Sequence, residues 1–358
     1  MNGIILIGKK TKYNGGPSGI VNGLEKEFMK SNINTISLRL SDNDNRLKYV
    51  VKLFKTIYLH PGYAVNVHSD GFMLSLLVLF CSKIFRRNRG YFLTVHGIHK
   101  TVNRIYGKHE IFHELMEKIL LKKFPSLICV SEMLKKDIEQ TYRRHNCIYV
   151  VPNATDIDCY LKSISVRKEN KLIMLGGINE VKGIDVALEL MRYLIVDKQM
   201  NIKLEIYGKI YSEDVKERYE QYLRENKLEN YIYYKGELYD KAKIAKILNQ
   251  SLLQLCLSKY DSFNVSVIEG MIVGCPAICS IGCGASYLIE SWKNGLNVDL
   301  KFQFFNNAYK YIVKCQKNDL FYLEQLNNAA NIQEEVSWRN VGNEYCKIMQ
   351  IKRNNINR

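Results

Sequence analysis

The stretch YDSFNVSVIEG, Tyr260 to Gly270, sets one carboxylate, Asp261, eight residues before another, Glu269. Ser262 is an N-cap candidate, and the run from about Phe263 to Val273 reads as a helix. The amides of Phe263, Asn264 and Val265 would then point out of the helix start. There the helix dipole favours an anion such as a diphosphate. Glu269, about two turns in, could accept two hydrogen bonds from a vicinal diol such as a ribose. Asp261 would face whatever lies beyond the phosphates. On spacing alone a plainer alternative stands, a loop acid followed by a surface acid on a helix.

Other stretches widen the choice. YNGGPSGIVNGLEKEF (13–28) follows the first strand-like run and opens a helix. Gly15, Gly16 and Gly19 allow close backbone approach, and Pro17 suits a first helical turn. It has neither the Rossmann glycine spacing nor a Walker A loop, and a simple tight turn would look the same. LGGINEVKG (175–183) follows another strand and puts Lys182 where a helix begins, within reach of a phosphate. TVHG (94–97) ends a strand with His96, and NVHSD ends another with His68. Either imidazole could donate to a phosphate or sugar oxygen.

The runs GIILIG, INTISL, AVNVH, YFLTVH, SLICV and CIYVV alternate with amphipathic segments in the first 151 residues. Short, nearly continuous apolar runs of this kind are what parallel strands buried on both faces require. A polar stretch from Pro152 to Asn170 interrupts the rhythm. It restarts with KLIMLGG, IKLEIYG, YIYYKG, LLQLCL and PAICSI. The fold class is therefore α/β, with two doubly wound, Rossmann-like domains in tandem facing a cleft. The expected boundaries are 1–165 and 166–337, with a closing helix 338–358.

The chain of 358 residues is long enough for two cores. Its net charge of +16 is uneven. Residues 1–165 hold 25 Lys/Arg against 13 Asp/Glu, and the rest hold 27 against 23. The basic half includes Arg86–Arg89 (RRNR), Lys122-Lys123, Lys135-Lys136 and Arg143-Arg144. It could meet an anionic membrane surface, a nucleic acid or a phosphorylated substrate. No aromatic-studded basic motif supports nucleic acid. No apolar run reaches the roughly 18 residues of a membrane span, and GFMLSLLVLFCSKIF (71–85) reads as a buried or interface helix. No secretory signal is visible, so a cytoplasmic location is expected. Cys275, Cys279 and Cys283 recur every four residues, but Pro276 breaks any helix there. They would not share a face, and no metal is expected.

Taken together, these pieces resemble family 4 of the glycosyltransferases, retaining enzymes of the GT-B fold. TVHG, CVSEMLKKDI (129–138), VVPNATD (150–156), LGGINEVKG, SKYDSFNVSVIEGMIVGCPAICS (258–280), NGLNV (294–298) and the closing SW (337–338) stand in the family's order. The acid-x7-acid segment running into GCP is the most specific of them. The resemblance implies that Glu269 binds the ribose of a nucleotide sugar and that Asp261 contacts the transferred hexose. It implies a diphosphate held by Gly15, Gly16, Gly177, Lys182, Phe263, Asn264 and Val265, with His96 near the reacting sugar. Gly208 and Leu238 would flank the base. No cofactor or metal is implied, and the last helix would return to the first domain.

Three positions depart from the family. Asp261 stands where Glu is usual, Gly177 where Arg is common and Gly270 where Ala is common. The last should cost the helix about 1 kcal/mol. The resemblance thus implies transfer of a hexose from a UDP- or GDP-sugar to a glycan or polyprenyl-linked acceptor, in bacterial capsule or O-antigen assembly. Peripheral contact of the basic domain with the inner face of an anionic membrane would fit that role. The alternatives are a non-catalytic nucleotide- or glycan-binding scaffold and a UDP-sugar 2-epimerase.

Overall fold

The computed structural model describes residues 1–10, 16–69, 72–85, 90–107, 110–156, 169–301 and 303–352. Gly15 and the basic run Arg86–Arg89 lie outside them. The chain divides into two compact units, Met1–Ala154 with Val336–Arg358, and Thr155–Glu335. Val151 and Ala154 pack in the first core with Ile128 and Tyr345, so the first unit reaches at least that far, and the expected boundary at 165/166 lies outside the described residues.

In the first unit the strands are β1 (Gly3–Lys9), β2 (Thr35–Leu40), β3 (Tyr63–His68), β4 (Tyr91–Val95), β5 (Ser126–Cys129) and β6 (Ile148–Val150). They form one parallel sheet in the order β2-β1-β3-β4-β5-β6. The Ile-rich β1 is buried on both faces, which explains its unbroken apolar run. In the second unit β7 (Glu169–Met174), β8 (Lys203–Ile206), β9 (Ile232–Tyr234), β10 (Ser251–Cys256), β11 (Ala277–Ser280) and β12 (Gly295–Val298) take the order β12-β11-β10-β7-β8-β9, again all parallel.

Each sheet reverses its strand order once, between β1 and β3 and between β7 and β10. Ligands of open α/β sheets bind beyond the carboxyl ends of the strands at such a reversal. These ends carry His68 in the first unit, and the loops of Lys182 and Asp261 in the second.

Helix starts follow local chemistry. Asn45, Ser131, Ser212, Asp240, Asn318 and Ser337 each accept a hydrogen bond from an amide of the helix they cap. Such a cap contributes about 1 kcal/mol. The last of these helices, Trp338–Ile348, packs in the first unit against Gly16–Lys30. Gly23 makes that contact possible, since a Cβ there would lie 2.1 Å from Trp338 Cζ2. Tyr345, fully buried, places its hydroxyl 3.2 Å from Thr94 Oγ1 at the end of β4.

Candidate active site

In the second unit, Lys182 ends a single 3₁₀ turn, Glu180–Lys182, capped by the Asn179 side chain on Val181 N at 2.9 Å. Gly176 and Gly183 fix where that turn sits. A Cβ on Gly176 would be 2.7 Å from Lys182 Cβ. Gly183 has φ +82°, and a Cβ there would meet Leu257 O at 2.0 Å. The turn is thus pinned between the ends of β7 and β10.

Asp261 follows β10 and is held by the loop after β11. Its amide donates to Gly282 O at 2.9 Å, and its carbonyl accepts from Gly284 N at 2.8 Å. One carboxylate oxygen accepts from Phe263 N at 3.2 Å, and the other accepts from Lys182 Nζ at 2.6 Å. Burial alone would pull the Lys182 ammonium down. The Asp261 carboxylate outweighs it, and the net displacement is upward. Two residues 79 apart in the chain therefore form one charged group.

The helix after Asp261 is shorter than its sequence suggests. It runs Val265–Ile272, and its N-cap is Asn264, not Ser262. Asn264 takes a left-handed conformation, φ +67°, and its side-chain oxygen accepts from Ser266 Oγ at 2.6 Å. Asp261 already uses the Phe263 amide, so of the three expected amides only those of Asn264 and Val265 lie beyond this turn. The first-turn amides of a helix have no partners within it.

Glu269 is nearly buried, and its carboxylate accepts from Lys241 Nζ, the first residue of the helix Lys241–Gln250. The sequence reading missed Lys241. The capping Asp240 just before it was the available signal, since it marks a helix start aimed at the same end of the sheet. Gly270 has a purpose that composition does not show. A Cβ there would lie 2.1 Å from Gln254 Nε2, and this buried amide donates to Val267 O at 3.0 Å.

Gly177, with φ +68°, donates its amide to Tyr207 O at 2.9 Å. Gly208 backs directly onto it, so that a Cβ on Gly208 would meet Gly177 N at 2.7 Å. Gly16, left-handed at φ +56°, is exposed at the start of its helix in the first unit. Leu238 is half-buried in the segment between β9 and Lys241. Gly15 lies outside the described residues.

In the first unit the resemblance implies a role for His96 and none for His68, but the structure joins them. His68 Nδ1 lies 2.9 Å from His96 Nε2, and the rings stack at 5.1 Å with 24° between planes. His68 is wholly buried, and its Nε2 has no partner. Burial, then the neighbouring His96, holds His68 well below the ordinary imidazole range; burial brings His96 to about 4. Both rings are neutral near pH 7. A donor at His68 Nδ1 leaves no orphaned N–H at its buried Nε2 and puts the His96 proton on Nδ1.

His96 lines a cavity of about 310 Å³ together with Pro17, Phe72, Ile98, His99 and Glu117. Glu117, unflagged by the sequence, is a buried carboxylate that accepts from the amides of His99 and Lys100 and from Tyr142 Oη. Burial raises its pKa, and these hydrogen bonds partly offset the rise. Among the described residues, one group has metal-ligand proximity: His99, Glu110 and His113, all exposed, with ligand atoms within 4.8 Å of one another. Cys275, Cys279 and Cys283 are buried and belong to no such group.

A comparison with curated proteins gives no match. Solved structures do match over nearly the whole chain. A sucrose-phosphate synthase from Thermosynechococcus elongatus is 15% identical, covers 98% of each chain and has a TM-score of 0.77. Anabaena HepE in complex with UDP is 16% identical over 97% of this chain and 99% of its own, with a TM-score of 0.75. TarM of S. aureus, in complex with UDP and α-GlcNAc-glycerol, is 21% identical over 84% of this chain and 59% of its own, with a TM-score of 0.64. At such identities the likeness is one of fold, and the fold is GT-B. Residues 161–335, the stretch that holds Lys182, Asp261 and Glu269, match the model of the glycosyl transferases group 1 and carry that family's sequence pattern.

Proposed function

We propose that the chain is a retaining glycosyltransferase that moves a hexose from a UDP- or GDP-sugar to a glycan or lipid-linked acceptor. The observation that carries this reading is the Lys182–Asp261 pair at the reversal of the second sheet, followed by a helix start and Glu269. Anabaena HepE, of the same fold, has been solved with UDP and with UDP-glucose.

In this reading the diphosphate lies at the start of the helix Val265–Ile272. Lys182 and the first amides stabilise the charge that grows on the leaving phosphate. Their fixed positive ends do the work for which other enzymes use a metal. Glu269 takes the ribose diol, and Asp261 takes a hydroxyl of the hexose. The loops of Gly177 and Gly208 supply close backbone approach, and Leu238 supplies an apolar edge for the base.

The C1–O bond to the phosphate breaks. The acceptor oxygen bonds C1 on the same face, and its proton passes to the leaving phosphate oxygen. No side chain is then needed as a general base. A polyprenyl-linked saccharide of cell-surface polysaccharide assembly fits the acceptor role.

Calorimetry with UDP and with GDP, on the native chain and on Glu269→Ala, tests the donor site. Tight binding of one nucleotide, weakened tenfold or more by the substitution, supports it and names the base. A folded chain that binds neither nucleotide would sink the proposal.

A further inference from the structure

Glu110 stands at the N-cap of the helix Ile111–Lys123, but its carboxylate does not cap that helix. It turns to two imidazoles instead. Its Oε2 lies 2.8 Å from Nδ1 of His113, one turn along the same helix. It lies 3.9 Å from Nδ1 of His99, the first residue of the helix His99–Tyr106. One ligand atom from each of the three residues lies within 4.8 Å of the others.

In a tetrahedral site with bonds of about 2.0–2.2 Å, the ligand atoms stand about 3.4 Å apart. The two distances to Glu110 fall on either side of that length, so small side-chain rotations can close the set around an ion. Two imidazole nitrogens and one carboxylate oxygen suit zinc and its first-row neighbours, whereas magnesium and calcium take oxygen. Three protein ligands leave a fourth position to water.

The three side chains are 49%, 43% and 47% exposed for His99, Glu110 and His113, so an ion can enter from solvent. They are nevertheless held in place. Phe72 stacks on His113 at 5.4 Å with 21° between planes, and lies 5.1 Å from the His99 ring. The two imidazoles are 5.6 Å apart. Glu117 fixes the backbone that carries His99: its carboxylate accepts from the amides of His99 and Lys100, and Tyr142 Oη donates to it. Glu117 lies on the same helix as His113, so one helix supplies one imidazole and sets the position of the other. A plain surface ion pair would need only Glu110 and His113. It does not account for a second imidazole, brought from another helix to the same carboxylate and the same phenyl ring.

We infer that His99, Glu110 and His113 bind one divalent cation of the zinc class. The ion replaces the proton between His113 Nδ1 and Glu110, and that proton leaves to solvent. Once bound, it clips the start of one helix to the start of the next. His99 and Phe72 also line the cavity of the first unit, so the ion sits at its rim. The inference rests on the first unit alone and not on the donor reading.

The test is titration of the full chain, free of any histidine tag, with zinc by calorimetry and with cobalt by absorption. The expected result is one ion per chain, with affinity weakened at least tenfold by His113→Ala and by Glu110→Ala. Cobalt should show the visible bands of a four-coordinate nitrogen and oxygen site, without the near-ultraviolet band of a thiolate. Zinc should raise the Tm of the native chain and not that of His113→Ala. Cys147→Ser, which removes an exposed thiol, should bind as the native chain does. Should His113→Ala or Glu110→Ala unfold the chain, Glu110→Gln keeps the shape of the side chain and decides. A folded native chain that takes up no zinc overturns the inference, as does uptake indifferent to the substitutions. A thiolate band lost in Cys147→Ser would assign the ion to cysteine and overturn it as well.

Discussion

Lys182 and Asp261 neutralise one another across 2.6 Å at the point where the second sheet reverses its strand order. On the proposed reading, a diphosphate arriving at the helix start must draw the ammonium away from this carboxylate. Removing each partner should therefore act in opposite directions on nucleotide binding. Lys182→Ala is expected to weaken UDP binding tenfold or more. Asp261→Asn frees the ammonium and should bind UDP at least as tightly as the native chain, while sugar transfer falls about 100-fold, the scale of a lost transition-state contact. Titration calorimetry beside a transfer assay checks both. Equal loss of UDP binding in the two variants would mean that the pair only holds the loop.

Buried His68 and its half-buried neighbour His96 make the first unit sensitive to acid. In the unfolded chain each imidazole gains its proton near pH 6.5, whereas the folded His96 gains it only near 4. Between these values the unfolded state binds more protons, so stability rises with pH. The contribution is complete above about pH 6.5 and is lost as pH falls toward 4, by about 3 kcal/mol for a displacement of this size. Trp338 lies in the first unit, and a Trp292→Phe background leaves it as the only indole. Urea unfolding followed at Trp338 should show a steep loss between pH 7 and 4.5. Replacing His68 by Asn should flatten it, and an unchanged slope would remove the pair as its source.

Helix propensity alone says that Gly270→Ala should stabilise the chain by about 1 kcal/mol. Contact with Gln254 says the opposite, because the new Cβ would lie 2.1 Å from its amide nitrogen. Overpacking of a close-fitted interior costs about 1–3 kcal/mol, so the net change should be destabilising. Thermal melts would show a lower Tm. The loss should shrink when Gln254 is itself shortened to Ala, and a melt that rises instead would mean that Gln254 can move aside.

Placing at position 177 the arginine common in the family that the sequence resembles should fail. Gly177 has φ +68°, and its Cβ would sit 2.1 Å from Lys209 O and 2.7 Å from Lys209 N. A left-handed non-glycine residue costs about 1–3 kcal/mol before any clash is counted. Gly177→Arg is expected to lower Tm and to leave UDP affinity no better. A gain in affinity without loss of stability would show that the two loops open readily.

Most of the fold was legible because parallel strands announce themselves. Runs such as GIILIG and LLQLCL are buried on both faces and need no partner to be recognised. The edge strand β12 was not, since Gly295–Val298 is four residues long and only its last is fully buried. Helix Arg46–Leu59 was also missed; its outward side is apolar as well as basic, which blurs the period that marks a surface helix. In the site, Lys182, Asp261 and Glu269 could be chosen one at a time. Their pairings could not be read, because each crosses from one loop or helix to another: Lys182 to Asp261, Lys241 to Glu269, His68 to His96. The meaning of Gly270 lay with Gln254, sixteen residues earlier and on a different element.

The return of Trp338–Ile348 to the first unit bears on how the chain is made. Val341, Tyr345, Cys346, Met349 and Ile351 share a core with Ile4, Leu24 and Phe28, and Lys352 N bonds to Met1 O at 3.0 Å. Synthesis proceeds from the amino end, so the first 154 residues leave the ribosome long before the wall of their own core exists. The second unit, continuous in sequence, has all its parts first. Nascent chains should therefore carry a finished second unit while the older segment still waits, its apolar seam open, for the final helix to be translated.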